Sequence, residues 1–272
     1  MNPTPQPVGD VSPLELRGVS LGSRVSTRLH RTDLTLAPGS VTSIIGANGS
    51  GKSTLLRLMS ADLQPTDGRV LMHGADASGL SATLLARHRS MLAQETSVAF
   101  PFLVHEVVGW GRFAWRRTPA AADDARIIDD AIESQGLTSL RDRRVTELSG
   151  GERTRVHLAR VIAQRTPLLL LDEADADLDL VGRRQLDDTV AALALEGTTV
   201  VVVSHDINRV APHTDRVIVM SRGGVHADGQ PAQVLTEEIL SKAFGTAVEV
   251  SDEAGRPIVR LPGAQPPGPM CG

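Results

Sequence analysis

The sequence predicts an α/β fold, with helices packed around a mostly parallel sheet. Three observations carry this. Short apolar runs of strand type recur: VTSII (41–45), RVLMH (69–73), LLLLD (168–172), TTVVVVS (198–204) and RVIVM (216–220). Two are nearly continuous apolar stretches bounded by polar residues, the pattern of strands covered on both faces. Helical stretches alternate with them, at 52–61, 81–90, 123–135, 150–164, 180–195 and 232–244, which is the rhythm of helices crossing over a sheet. A glycine-rich loop joins the first of these strands to the first of these helices. Residues 97–147 break the alternation, contain no good strand and read as a helical insertion.

The 272 residues suffice for one large domain. We expect flexible tails at 1–13 and 263–272, rich in Pro and Gly, around a single domain at 14–262. With 28 basic residues against 32 acidic and a net charge of −4, nothing electrostatic points to nucleic acid. Only Lys52 and Lys242 are lysines; the other basic residues are arginine. The single cysteine, Cys271, excludes a disulfide framework or a cysteine metal site. No apolar run has the length of a membrane span. The N-terminal MNPTPQPVGDVSP lacks the charged and apolar regions of a signal peptide. The expected location is cytoplasmic, with any membrane reached through a partner.

The strand VTSII runs into GANGSGKST, which fits G-x-x-x-x-G-K-[ST] and opens the helix KSTLLRLMSA. Gly46, Ala47, Asn48, Gly49, Ser50, Gly51, Lys52, Ser53 and Thr54 thus form a P-loop. Its glycines let the backbone curl so that N–H groups point at phosphate oxygens. Lys52 reaches the β- and γ-phosphates, Ser53 offers its hydroxyl to Mg²⁺, and the helix N-terminus favours the anion. The competing explanation is a chance Gly-rich turn, which arises in roughly one such chain in a hundred at average composition. The strand–loop–helix context lowers that further.

Asp172 and Glu173 end the apolar strand LLLLDE, at the edge where parallel sheets place ligands. Asp172 would hold Mg²⁺, and Glu173 would act as base or orienter for an attacking water. A lone DE is commonly a solvated strand end; the upstream P-loop favours function. A third motif, LSGGE, contains Ser149, Gly150, Gly151 and Glu152 and precedes an amphipathic helix. It reads equally as an anion-binding helix start or as a capping box, and both can hold.

Together these motifs resemble the ATP-binding subunit of ABC transporters over roughly residues 14–250. The order P-loop, Gln94, LSGGE, LLLLDE and His205 in VVVVSHD matches that family. The resemblance implies a P-loop NTPase with a RecA-like core, an antiparallel β region near the N-terminus and a helical insertion. It implies a head-to-tail homodimer binding ATP and Mg²⁺. Each ATP would lie between one copy's P-loop and the other's Ser149, Gly150, Gly151 and Glu152. His205 would hold the γ-phosphate and water, Gln94 would touch Mg²⁺, and Asp179 would sit at the subunit interface. Three features depart from the family. Ala174 stands where proline is usual. Asp175 and Asp177 are atypical and, with Asp179, should crowd Asp172 and Glu173, weakening anion binding or raising local pKa values. No aromatic occurs in 14–45 to stack on adenine, leaving Arg24 or Val25 to cover the base.

Five of the six aromatic residues, Phe100, Phe102, Trp110, Phe113 and Trp115, fall just after Gln94. The segment FPFLVHEVVGWGR (100–112) resembles haem-importer ATPases, and LTEEILSKAFG (235–245) resembles the wider siderophore and cobalamin importer group. This implies an ATPase driving haem import through two copies of a multispan permease, peripheral on the cytoplasmic face of the cell membrane. A periplasmic or lipoprotein haem-binding protein would act indirectly. The stretch is expected to dock the permease, with Trp115 turned outward, or else Phe100, Phe102, Val104, Val107 and Val108 form a local core. A siderophore or cobalamin cargo is the alternative. A soluble ABC ATPase acting on ribosomes or DNA is the alternative of another class, but it lacks a tandem unit, coiled coil or basic face here. A regulator without hydrolysis is disfavoured by Glu173 and His205.

Overall fold

The computed structural model describes residues 11–22, 27–94, 100–253 and 256–263. The chain begins with β1 (Leu14–Gly22), β2 (Thr27–Thr35), β3 (Val41–Gly46), α1 (Lys52–Met59), β4 (Asp67–Met72) and β5 (Ala75–Asp76). It continues with α2 (Ala82–His88), β6 (Arg89–Leu92), α3 (Val104–Gly109), α4 (Asp124–Ser134) and α5 (Gly150–Ala163). Then come β7 (Leu168–Asp172), α6 (Leu180–Leu195), β8 (Thr199–Val203), α7 (Ile207–Val210), β9 (Arg216–Ser221) and β10 (Gly224–Gly229). The last elements are α8 (Pro231–Val234), α9 (Glu237–Phe244), β11 (Glu249–Glu253) and β12 (Arg256–Arg260).

Among the described residues the main sheet has the order β10-β9-β3-β8-β7-β6. All neighbours are parallel except the edge pair β10–β9. The apolar runs are continuous because each strand feeds two cores. Leu168 and Leu170 join the core under the antiparallel sheet, while Leu169 and Leu171 join the core under α5 and α6. Val201 and Val203 divide from Val200 and Val202 in the same way, as the two-residue strand period requires. The antiparallel sheet, β2-β1-β4-β5, caps one face, so the antiparallel region implied by the family resemblance is present.

Parallel order has one consequence for chemistry. The C-terminal ends of β3, β8, β7 and β6 lie side by side at one edge of the sheet. Those ends lead into the P-loop, His205, Glu173 and Gln94.

Several local expectations change. The run at 69–73 is a strand, but β4 pairs antiparallel with β1 and stays out of the parallel sheet. The helix expected at 81–90 stops at His88, and Arg89–Leu92 becomes the edge strand β6. Its four residues are too few to show a period, yet Ser90 and Leu92 are buried in alternation. The helix expected at 232–244 is two helices, because Thr236 caps α9 with its side chain accepting from the Ile239 N–H at 3.3 Å.

The insertion builds a third core, in which Val104, Val107 and Val108 pack with Ile127, Ile132, Val156 and Ala159. The motif residues around them are structural. Glu106 accepts from the Leu103 N–H at 2.8 Å and starts α3. Gly111 lies so close to α5 that a Cβ would sit 2.1 Å from the Arg160 carbonyl oxygen. Arg112 is buried, pairs with Asp124 at 2.7 Å and donates to the Ala163 carbonyl at 2.9 Å, closing the C-terminus of α5. Trp115 is half-buried rather than turned outward: its Nε1 donates to the Gln164 carbonyl at 2.7 Å, and Arg87 and Arg112 flank the ring. Phe100, Phe102 and Phe113 remain exposed, at 69%, 38% and 49%. The local core is therefore made of valines without the phenylalanines.

This separation predicts stability. Val107→Ala should lower folding stability by about 2–3 kcal/mol and the Tm by several degrees. Phe100→Ala should leave the Tm unchanged within a degree or two. Thermal unfolding of the two variants checks it, and equal losses would contradict the assignment.

Candidate functional site

The P-loop follows from its glycines. Gly46 has φ 151°, and a Cβ there would come within 2.3 Å of the Met220 carbonyl oxygen. Gly51, at φ 103°, turns the chain into α1, a conformation that glycine takes without strain. Lys52 is buried, and its ammonium donates to the Gly46 and Ala47 carbonyls at 2.9 and 3.1 Å. Burial pulls its pKa down, while Glu173 and Asp172 oppose that shift. The neighbouring Ser53 donates to Asp172 Oδ1 at 3.5 Å.

Asp172 ends the buried strand β7. Its pKa is raised, first by burial; the Ser53 hydrogen bond and the Lys52 charge oppose that, and Glu173 adds to it. A desolvated carboxylate beside a serine hydroxyl fits an oxygen-seeking divalent cation that takes its remaining ligands from phosphate and water. The next residue, Glu173, is non-glycine yet has φ 51°. That places its carboxylate between two of the other expected residues. Gln94 donates to Oε2 at 2.6 Å, and His205 Nε2 lies 2.5 Å from Oε1. Both join a cavity of about 700 Å³, lined also by Asn48, Gly49, Gly51, Lys52, Ser53 and Thr54.

The LSGGE turn is not among the residues lining that cavity. Ser149 caps α5: its Oγ accepts from the Glu152 N–H at 3.3 Å, and Glu152 Oε2 accepts from the Ser149 N–H at 2.8 Å. The Ser149 N–H, and the Ser149 hydroxyl donating to the same Oε2 at 2.7 Å, hold the Glu152 carboxyl below its ordinary pKa. Gly150 faces open space. Asp179 caps α6 by accepting from the Gly182 N–H at 2.7 Å.

The acids expected to crowd Glu173 separate: Asp177 lines a cavity together with Asp172 and Glu173, whereas Asp175 is engaged elsewhere. Asp175 is buried against Arg209, 2.9 Å from its guanidinium. The upward shift at Asp172 comes first from burial and then from Glu173.

Sequence reasoning missed the far end of the cavity, which is lined by Arg28, Arg222 and Gly223. Backbone bonds fix this end: Gly223 donates to Ser50 O at 3.0 Å and accepts from His30 N at 2.7 Å. The Arg-Gly-Gly turn at 222–224 was the available signal. Arg24 and Val25 lie outside the described residues.

The profile of the ABC transporter family matches residues 29–176. The chain belongs to the ABC transporter family. It is 41% identical over 255 residues to the hemin import ATP-binding protein HmuV of Rhodopseudomonas palustris, covering 90% of this chain and 93% of that one. The corresponding Rhodococcus jostii protein is 40% identical, covering 91% and 85%. Among solved structures, it resembles the dimeric bacterial ABC transporter cassette MJ0796, with a TM-score of 0.72 and 26% identity over 80% of this chain and 98% of that one. A bacterial Atm1-family ABC exporter with ATP bound gives 0.71 and 28%, over 83% and 40%. As an ABC ATPase, the chain binds and hydrolyses ATP, dimerises and serves a membrane permease. No helix among the described residues is long and apolar enough to cross a membrane.

A second cavity adjoins Glu173 on the side of α5 and includes His157. That residue is 3% exposed, and neither ring nitrogen has a hydrogen-bond partner among the described residues. Burial, with Arg160 and Arg153 nearby, lowers its pKa from 6.5 to about 4. The folded value is depressed, so only the unfolded chain takes up this proton between those pH values. The stabilisation is therefore complete above pH 6.5 and lost as pH falls towards 4, by about 3 kcal/mol. His73 and His88, also lowered by burial, act in the same direction. His157→Gln should flatten, without abolishing, the fall of Tm between pH 6.5 and 4.5. An unchanged slope would contradict the assignment.

Proposed function

We propose that this chain powers haem import, hydrolysing Mg²⁺-bound ATP as a head-to-tail dimer on two permease copies at the cytoplasmic face of the membrane. A periplasmic or lipoprotein haem-binding protein supplies the permease. The observation that carries the chemistry is the Glu173 carboxylate, held by Gln94 and His205 at the end of the P-loop cavity. The cargo rests on relatives about 40% identical over most of the chain that are named for hemin import.

In this reading the P-loop N–H groups from Gly46 to Thr54 cradle the phosphates, and Lys52 leaves its two carbonyls to bind the β- and γ-oxygens. Ser53 and Asp172, with Gln94 near, would hold Mg²⁺, which would supply positive charge to offset that of the phosphates. Glu173 accepts a proton from water as the water oxygen bonds to the γ-phosphorus and the bond to the ADP oxygen breaks. His205 holds the γ-phosphate and that water in line. Ser149, Gly150 and Gly151 of the second copy close over the γ-phosphate with the N-terminus of its α5, while Glu152 keeps that turn capped. Asp179 lies at the copy–copy contact.

The permease docks on Phe100, Phe102 and Phe113. Phe102 meets Phe100 and Trp110 edge-on, at ring-centroid distances of 6.3 and 5.1 Å, so these three rings form one apolar cluster, while Phe113 carries the Arg116 guanidinium 4.0 Å from its ring centroid.

The test is reconstitution with the permease in vesicles. Lys52→Ala should abolish ATP binding and haem uptake. Phe100→Ala with Phe102→Ala should preserve Tm and ATP binding but weaken permease assembly about hundred- to ten-thousandfold, from about 1.5–3 kcal/mol for each of the two buried rings. Trp115→Ala should destabilise the isolated chain instead. Transport of an iron-siderophore or cobalamin in place of haem would overturn the cargo.

A further inference from the structure

Glu173 holds a backbone conformation that a non-glycine residue keeps only when its surroundings enforce it. One restraint is visible at once: its N–H donates to the Val203 carbonyl at 3.1 Å, which ties it to the strand leading to His205. A second lies two residues on. Asp175 and Asp187 are both buried and grip the same guanidinium, that of Arg209. Arg209 sits on α7, four residues after His205, and Asp187 sits on α6. Ser204, next to His205, extends the join by donating to Asp175 Oδ2 at 3.5 Å and accepting from the Asp206 N–H at 3.1 Å. Asp206 in turn accepts from the Arg209 N–H at 3.1 Å.

We propose that Arg209 and Asp175 are positioning residues that lock the Glu173 loop to the His205 loop, so that the Glu173 carboxylate and the His205 imidazole meet at the reacting water. The inference rests on the reading of Glu173 as the base. It gives the atypical acid of this loop a task. Asp175 pulls the chain after Glu173 towards α7, and the tight turns from Glu173 O to Ala176 N and from Asp175 O to Leu178 N transmit that pull. Asp187 holds Arg209 from the other side and fixes it to a long helix. Neither carboxylate needs to touch nucleotide. A misplacement of a reacting group by an ångström is enough to slow a reaction strongly.

A merely structural ion pair would affect stability alone, so the test must separate stability from turnover. Steady-state ATP hydrolysis and Tm are measured on the full chain for wild type, Asp175→Asn and Asp124→Asn. The last removes a charge from the Arg112–Asp124 pair in the insertion, remote from the nucleotide. Asp175→Asn keeps the size of the side chain and leaves Arg209 paired with Asp187, so the protein should fold. We expect its kcat to fall about tenfold or more with the KM for ATP within about twofold. Asp124→Asn should lose comparable Tm while keeping its kcat. Wild-type turnover by Asp175→Asn, an equal loss of kcat in both variants, or a KM rising in step with the fall in kcat would overturn the inference. Should wild type itself show no hydrolysis, the reading of Glu173 fails instead.

Discussion

The site depends on one constraint, the left-handed backbone at Glu173 just past the end of a fully buried strand. Strand β7 lies between β6 and β8, and its side chains are committed to cores on both faces. It can neither slide nor roll without exposing leucines. Asp172 is therefore fixed, and the turn at Glu173 sets where the next carboxylate goes. With φ 51° that carboxylate leaves the strand direction and enters the gap between Gln94 and His205. Those two arrive from the neighbouring strand ends, so sheet order does the assembling.

Helix α5 links this chemistry to the insertion. Its N-terminus carries Ser149 and Gly150, capped by Glu152, while its last carbonyls, with Gln164 just beyond, bond Arg112 and Trp115 of the insertion. Gly111 lets the insertion backbone press against the same helix. The insertion that bears the exposed phenylalanines is thus packed, through its valines and a bonded helix end, on the helix that starts at the LSGGE turn. Two sites connected by one rigid element are what coupling between nucleotide and permease requires.

Much of this was legible in the sequence. The P-loop, LLLLDE and LSGGE could be read because each sits at a strand end or helix start whose pattern is local, while Gln94 and His205 were supplied by the motif order of the family the chain resembles. The valine core could be read in part, since Val104, Val107 and Val108 have helical spacing. What escaped reading depended on distant partners. Trp115 looked exposed beside Arg116 and Arg117, but its indole is claimed by Gln164, 49 residues away. Asp175 looked like a source of repulsion until folding brought Arg209 against it. Strand β6 was hidden because four residues at a sheet edge carry too little periodicity, and Arg28 and Arg222 because they meet the P-loop only in three dimensions.

The most direct measurement of the central claim is single-turnover cleavage of ATP by Glu173→Gln, alongside its association state. The amide keeps the shape of the side chain but cannot accept a proton. The account predicts that ATP is bound and remains intact, with the protein held as a stable dimer that wild type forms only transiently. Cleavage at the wild-type rate by Glu173→Gln would contradict it.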